Sequence, residues 1–221
     1  MFIGHFAVAF AAKKVAPRTS VGTLVAAAQL LDLIWPILVL LGIETVRVDP
    51  AGPGPFLKLR FVHYPWTHSL LMAVVWGVAF ALAYHARTGY GRGAAVVGAL
   101  VVSHWVLDWI THQPDLQLAP GFAPRVGLGL WTSPAATIAV EGLLFVAGVA
   151  VYARATRPRD RAGTWGFWGF VTFLLVAYAS TLAGGTPPGP RVVAASALIG
   201  WALLLWIAWF DRHREPVQPR P

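Results

Sequence analysis

The chain has 221 residues, 57% of them hydrophobic and 13% aromatic, with only 12% charged and a formal net charge of +8. That balance lies far from a soluble globular domain and predicts an all-α, polytopic membrane helical bundle. Without cysteine, disulfides and thiolate metal sites are excluded. The 17 basic residues sit at the ends of apolar runs and form no patch interleaved with aromatics, so nucleic acid is not an expected partner.

The opening run, Phe2 to Ala16, has no basic residue before its apolar part and carries Lys13-Lys14 after it, unlike a cleavable signal peptide. It is short against the roughly 20 residues a span requires. A half-helix dipping into the bilayer is expected, with a short tilted helix as the alternative. Six apolar runs are long enough to cross, at about 20–42, 68–86, 93–111, 132–153, 164–184 and 191–210. Residues 1–153 read as a helical domain carrying the chemistry, 154–212 as two supporting spans, and 213–221 as a polar, Pro-rich tail expected to be disordered.

Alternating the spans places Lys13, Lys14, Arg18, Arg87, Arg92, Arg154, Arg157, Arg159, Arg161, Arg212, Arg214 and Arg220 on one side, against Arg47, Lys58, Arg60, Arg125 and Arg191 on the other. Twelve against five makes the first side cytoplasmic by the positive-inside rule. The long Pro- and Gly-rich loops, about 43–67 and 112–131, both fall on the outer side, where such loops often cover a site. No internal repeat of the kind found in many secondary transporters is evident.

Ionisable groups inside spans cost at least ~2.5 kcal/mol each and persist where they pair, bind or react. Here they are Asp32 in the first span, His63 and His68 around the start of the second, His104, Asp108 and His112 in the third, Glu141 in the fourth and His5 in the opening run. The alternating topology brings them to the outer half of the membrane, and His5 joins them if the opening half-helix enters from that side, as its basic end on the other side suggests. Glu141, about nine residues into its span, would lie ~13 Å deep.

His104, Asp108 and His112 share one helical face at i, i+4 and i+8, which separates the two histidines by ~12 Å along the axis. One ion cannot reach both on a regular helix. Either the helix ends before His112, or two metals are present with Asp108 as the bridging carboxylate. Thr67 is the expected N-cap of the second span, putting His68 in its first turn. His85 and His213, beside arginines at cytoplasmic helix ends, are expected to take no part. Trp66 and Trp131 are assigned to interfacial belts. Ser69 and Ser103 read as hydrogen-bond donors and not as nucleophiles.

The stretches "MFIGHFAVAFAAKK", "QLLDLIWP", "HYPWTHSLLM" and "SHWVLDWITH", in this order and spacing, resemble the LexA-regulated inner-membrane proteins described as membrane-bound metal-dependent hydrolases. The resemblance covers roughly residues 1–150 and implies a multi-helix membrane protein with a His and Asp metal site. A more distant similarity is to the zinc-dependent phospholipase C group. His104 and Asp108 match that group's His-x3-Asp element, whereas His5, Asp32 and His68 match only by type and order. The group is soluble, and a chain embedded in the membrane departs from it.

The expected function is a metal-dependent hydrolase of the cytoplasmic membrane, its site opening to the outer face, acting on a lipid or lipid-linked ester or phosphoester. His5, Asp32, His68, His104, Asp108 and His112 would hold one or two divalent ions, expected to be zinc. His63 would be a further ligand or an outer group, and Asp32 or Glu141 the general base. The alternative is a divalent-metal or proton-coupled transporter. It would require polar groups continuing to the cytoplasmic side, where the spans look wholly apolar.

Overall fold

The computed structural model describes residues 1–183 and 185–217. Helix α1 (Ile3–Val15) opens the chain, and α2 (Val21–Ala28) and α3 (Leu30–Leu40) follow. The latter two together are apolar enough to be one span but meet at an angle of 53°. A single turn, α4 (Pro65–His68), precedes α5 (Leu70–Thr88), and α6 (Gly91–Thr111), α7 (Pro134–Ala155) and α8 (Arg161–Ala183) are each long and apolar enough to cross. The last span, Pro190–Arg212, has a slight break between α9 (Pro190–Ala197) and α10 (Ile199–Arg212). Five helices plus the bent pair thus make the six expected spans.

The opening helix is short, 13 residues, or ~20 Å, and it does not face lipid. It lies inside the bundle against α2, α6, α7 and α8, with Ile3, Ala7, Ala9 and Phe10 fully buried. Small residues permit this approach: a Cβ added at Gly148 of α7 would sit 2.3 Å from the Ala7 carbonyl oxygen. At its start Glu141 accepts from the Phe2 and Gly4 amides (2.8 and 3.3 Å). At its end Lys13 donates to the Thr19 carbonyl (2.8 Å) and pairs with Asp211 (3.9 Å). An acid at the N-terminus and a base at the C-terminus both complement the helix dipole. Outside, residues such as Leu82, Leu143, Val146, Val176 and Leu205 are exposed, as a lipid-facing surface requires.

Three short antiparallel strand pairs, not foreseen from the all-helical pattern, decorate the ends of the bundle. On the site side, β1 (Thr45–Val48) pairs with β2 (Leu59–His63), and β3 (Leu116–Gln117) pairs with β4 (Arg125–Val126). Arg125 ties the two loops together by donating to the Val62 carbonyl (3.1 Å). On the other side β5 (Thr156–Pro158) pairs with β6 (Arg214–Pro216). The tail expected to be disordered from 213 is therefore structured through the strand: the Arg214 guanidinium is buried against Thr156 and the Gly163 carbonyl. Residues 218–221 lie outside the described residues.

Candidate metal centre

Four elements deliver five side chains to one point. Helix α6 supplies His104 and Asp108, a turn apart on one face; α1 supplies His5, α3 Asp32 and α4 His68. Nε2 of His104 is 3.1 Å from Asp108 Oδ2 and 3.7 Å from Asp32 Oδ1. Nε2 of His68 is 3.3 Å from the same Asp32 oxygen and 3.6 Å from the same Asp108 oxygen. The His5 ring stacks on that of His104 at 3.7 Å between centroids, and its Nε2 meets Asp108 Oδ1 at 3.1 Å. The Met1 ammonium also hydrogen-bonds Asp108 Oδ1. Two triads, His5–Asp32–His104 and His68–His104–Asp108, each bring three ligand atoms within 4.8 Å of one another.

The surroundings decide which nitrogen each ring turns inward. Nδ1 of His104 lies 2.7 Å from the Ala28 carbonyl, which can only accept, so Nδ1 carries the hydrogen. Thr67 Oγ1 lies 2.7 Å from both Glu44 Oε2 and His68 Nδ1. Its single hydrogen goes to the Glu44 carboxylate, so it accepts from Nδ1–H of His68. In the neutral rings both Nε2 lone pairs then face carboxylate oxygens, an arrangement that calls for a shared cation. Nδ1 of His5 and Nε2 of His104 are buried with no hydrogen-bond partner, as atoms meant for a ligand would be. Imidazoles steered by outer acceptors, together with two carboxylates, fit a divalent cation.

The other candidates are placed differently. Helix α6 ends at Thr111, because Pro114 disfavours helix for Gln113, and His112 has extended backbone. Its Nδ1 bonds Asp115 (3.0 Å), and its ring packs on Trp131 (4.3 Å). His112 thus lines a small cavity of about 120 Å³ with Asp32, His68 and Asp108, but it belongs to neither triad. His63 is exposed at the end of β2 and outside both triads. Glu141 is also outside them, fully buried, with Oε2 on the α1 amides and Oε1 unpartnered.

Two local readings are corrected. The N-cap of the second span is Ser69, which accepts from the Met72 amide (3.3 Å); Thr67 instead supports His68. Trp131 belongs to the cavity wall, not a lipid belt, because the loop from 112 to 131 folds back over the site. Tyr64 and Asp115 went unrecognised. The Tyr64 hydroxyl donates to Asp115 Oδ1 at 2.6 Å, and burial, then the Asp115 charge, hold its pKa well above the ordinary tyrosine value. Glu44 was missed as well; an acid closely following a span has no spacing that marks it.

The half of the bundle away from the site is not wholly apolar. Lys13, Asp211 and Tyr152 meet there, Tyr152 donating to Asp211 at 3.3 Å. Between this cluster and the histidines stand the buried rings of Phe10, Phe145, Phe167 and Phe170. The two polar regions are separate structures at opposite ends of α1.

Among known proteins, no curated protein and no solved structure matches the chain. A family model does, over residues 1–185, which include every residue of both triads and of the supports around them. On that match the chain belongs to the YdjM inner membrane protein family.

Proposed function

We propose that the protein is a membrane-bound metal-dependent hydrolase acting on a lipid or lipid-linked ester or phosphoester at the outer face of the inner membrane. The observation that carries this reading is the pair of Nε2 atoms, on His68 and His104, turned towards the same two carboxylates beside a cavity. His5, Asp32, His68, His104 and Asp108 would hold one or two divalent ions, zinc by the nature of the donors. Such an ion, when bound, supplies Lewis acidity and makes water nucleophilic near neutral pH.

The remaining work falls to the chain. Asp32 is the acid open to the cavity, its side chain 46% exposed against 3% for Asp108, and it would take the proton of the attacking water. His112 and Trp131 wall the space where the scissile group would sit. Glu141, holding the amides of Phe2 and Gly4, positions α1 and so His5; it does not act as the base. The aromatic layer around Phe10 supports a hydrolase over the transporter alternative, since it offers no polar path inward.

The test is metal analysis of detergent-purified protein, wild type against His104→Ala, followed by a screen of phospholipid and polyprenyl-phosphate hydrolysis. Near-stoichiometric metal lost in the variant, with turnover that needs it, is the expected result. Metal without turnover of any ester, together with metal flux in proteoliposomes, would replace the hydrolase with the transporter.

A further inference from the structure

A second cavity, of about 260 Å³, begins where the polar cluster ends. Asp32 and Trp35 belong to the walls of both spaces. The walls of this one are otherwise apolar except for Gln29: Phe2 precedes α1 and Phe6 lies on it, Leu33 comes from α3, and Gly200, Leu203 and Leu204 from α10. Two helix breaks make the room. Helices α2 and α3 meet at 53° beside it, and past the break at Leu198 Gly200 faces Leu33, where a Cβ would lie 3.1 Å from Leu33 Cδ2. Trp201 Nε1 donates to the Leu33 carbonyl (3.2 Å) and fixes the separation of the two walls. Ile199, also on the wall, is 55% exposed, so the mouth opens between α3 and α10 onto the lipid-facing surface.

We infer that this cavity seats one hydrocarbon chain of a bilayer lipid whose head lies at the His and Asp cluster. The inference rests on the hydrolase reading for the fate of the head, and not for the seat of the tail. An apolar cavity of this size stays dry and takes apolar guests; at membrane depth the guest at hand is an acyl or prenyl chain. With roughly the ~30 Å³ of a water molecule for each methylene, the space takes about nine carbons of a single chain. A second chain of the same lipid would remain in the bilayer. Moving a tail from lipid into the cavity gains little hydrophobic energy, because lipid is as apolar as the wall. The seat therefore selects by shape, and it points the bond next to the head at Asp32.

The test uses the full chain in phospholipid nanodiscs with a long-chain alkyl phosphate carrying a mid-chain diazirine, and maps the photolabelled residues by mass spectrometry. Label is expected on Leu33, Leu203 and Leu204. Gly200→Leu, which fills the space, should reduce that label by roughly fivefold or more, with metal content and background label on the outward-facing Leu205 and Leu143 unchanged. Leu204→Ala, which enlarges the space, should retain the label at Leu33 and Leu203, and so guards against misfolding of the first variant. Label confined to outward residues, or equal in Gly200→Leu and wild type, would overturn the proposal. Because photolabelling needs no turnover, a labelled seat in a protein that cleaves no ester rejects the hydrolase and keeps the seat; turnover with an unlabelled seat does the reverse.

Discussion

Thr67 has one hydroxyl hydrogen and two neighbours at 2.7 Å, and this arithmetic settles the orientation of His68. Replacing it by Val leaves Nδ1 of His68 and one oxygen of buried Glu44 without their partner, yet keeps the volume. Metal affinity should fall 10- to 100-fold, the usual cost of losing an outer support, and Thr67→Ser should restore it; a chelator competition titration reads both. The acids separate in the same way. Asp108 lies within 3.6 Å of His5, His68 and His104, so Asp108→Asn should abolish stoichiometric metal. Glu141→Gln keeps a carbonyl oxygen for the α1 amides, and should leave metal content near that of wild type. Equal loss in both variants would make Glu141 a ligand and the present assignment wrong.

At the scale of elements, the bend at Gln29 and the burial of α1 make the site possible. The Ala28 carbonyl that orients His104 is the last of α2, and Asp32 follows the bend within one turn. Pro36 adds to the irregularity, since it withholds the amide that would bond the Asp32 carbonyl in a regular helix. Contact between α1 and α7 depends on Gly148, and Gly148→Leu should destabilise the protein by about 1 to 3 kcal/mol or more. Gly142→Leu on the same helix, where a Cβ meets nothing within 4 Å, should be neutral, and melting temperatures in detergent compare them. At the end of the bundle away from the site, the Gly163 amide and then His213 hold the Asp160 pKa below its ordinary value, and Arg157 then Arg159 do the same for Glu215. A depressed carboxylate pKa stabilises the fold above the unfolded value and loses that contribution as pH falls through the folded one. The clasp between β5 and β6 should therefore be intact at neutral pH and loosen below about pH 4, seen as faster amide exchange at residues 156–160. Both groups are exposed to solvent, so high salt should weaken the effect further.

For the whole molecule, the spans and the meeting of the ionisable groups at one end of the bundle were legible in the sequence, because apolar length and the cost of buried charge act locally along a chain. His5, Asp32, His68, His104 and Asp108 could be grouped on those grounds alone. The bend was not legible, since Gln29 sits in an unbroken apolar run and is compatible with helix. Nor were Glu44, Tyr64 and Asp115, whose roles depend on how two loops fold over the bundle; the same folding left His63 in solvent and turned Trp131 inward. The orientation expected from charge, twelve basic residues against five, would put the β1–β2 loop, and the site beneath it, outside. The chain has no cysteine, so a single introduced thiol reports its own side. Ala51, exposed in that loop, and Arg87, exposed at the other end of α5, are suitable positions. In spheroplasts, Ala51→Cys should react with a membrane-impermeant maleimide, and Arg87→Cys only after lysis. The opposite pattern would turn the site towards the cytoplasm, and the lipid chain would then have to come from the inner leaflet.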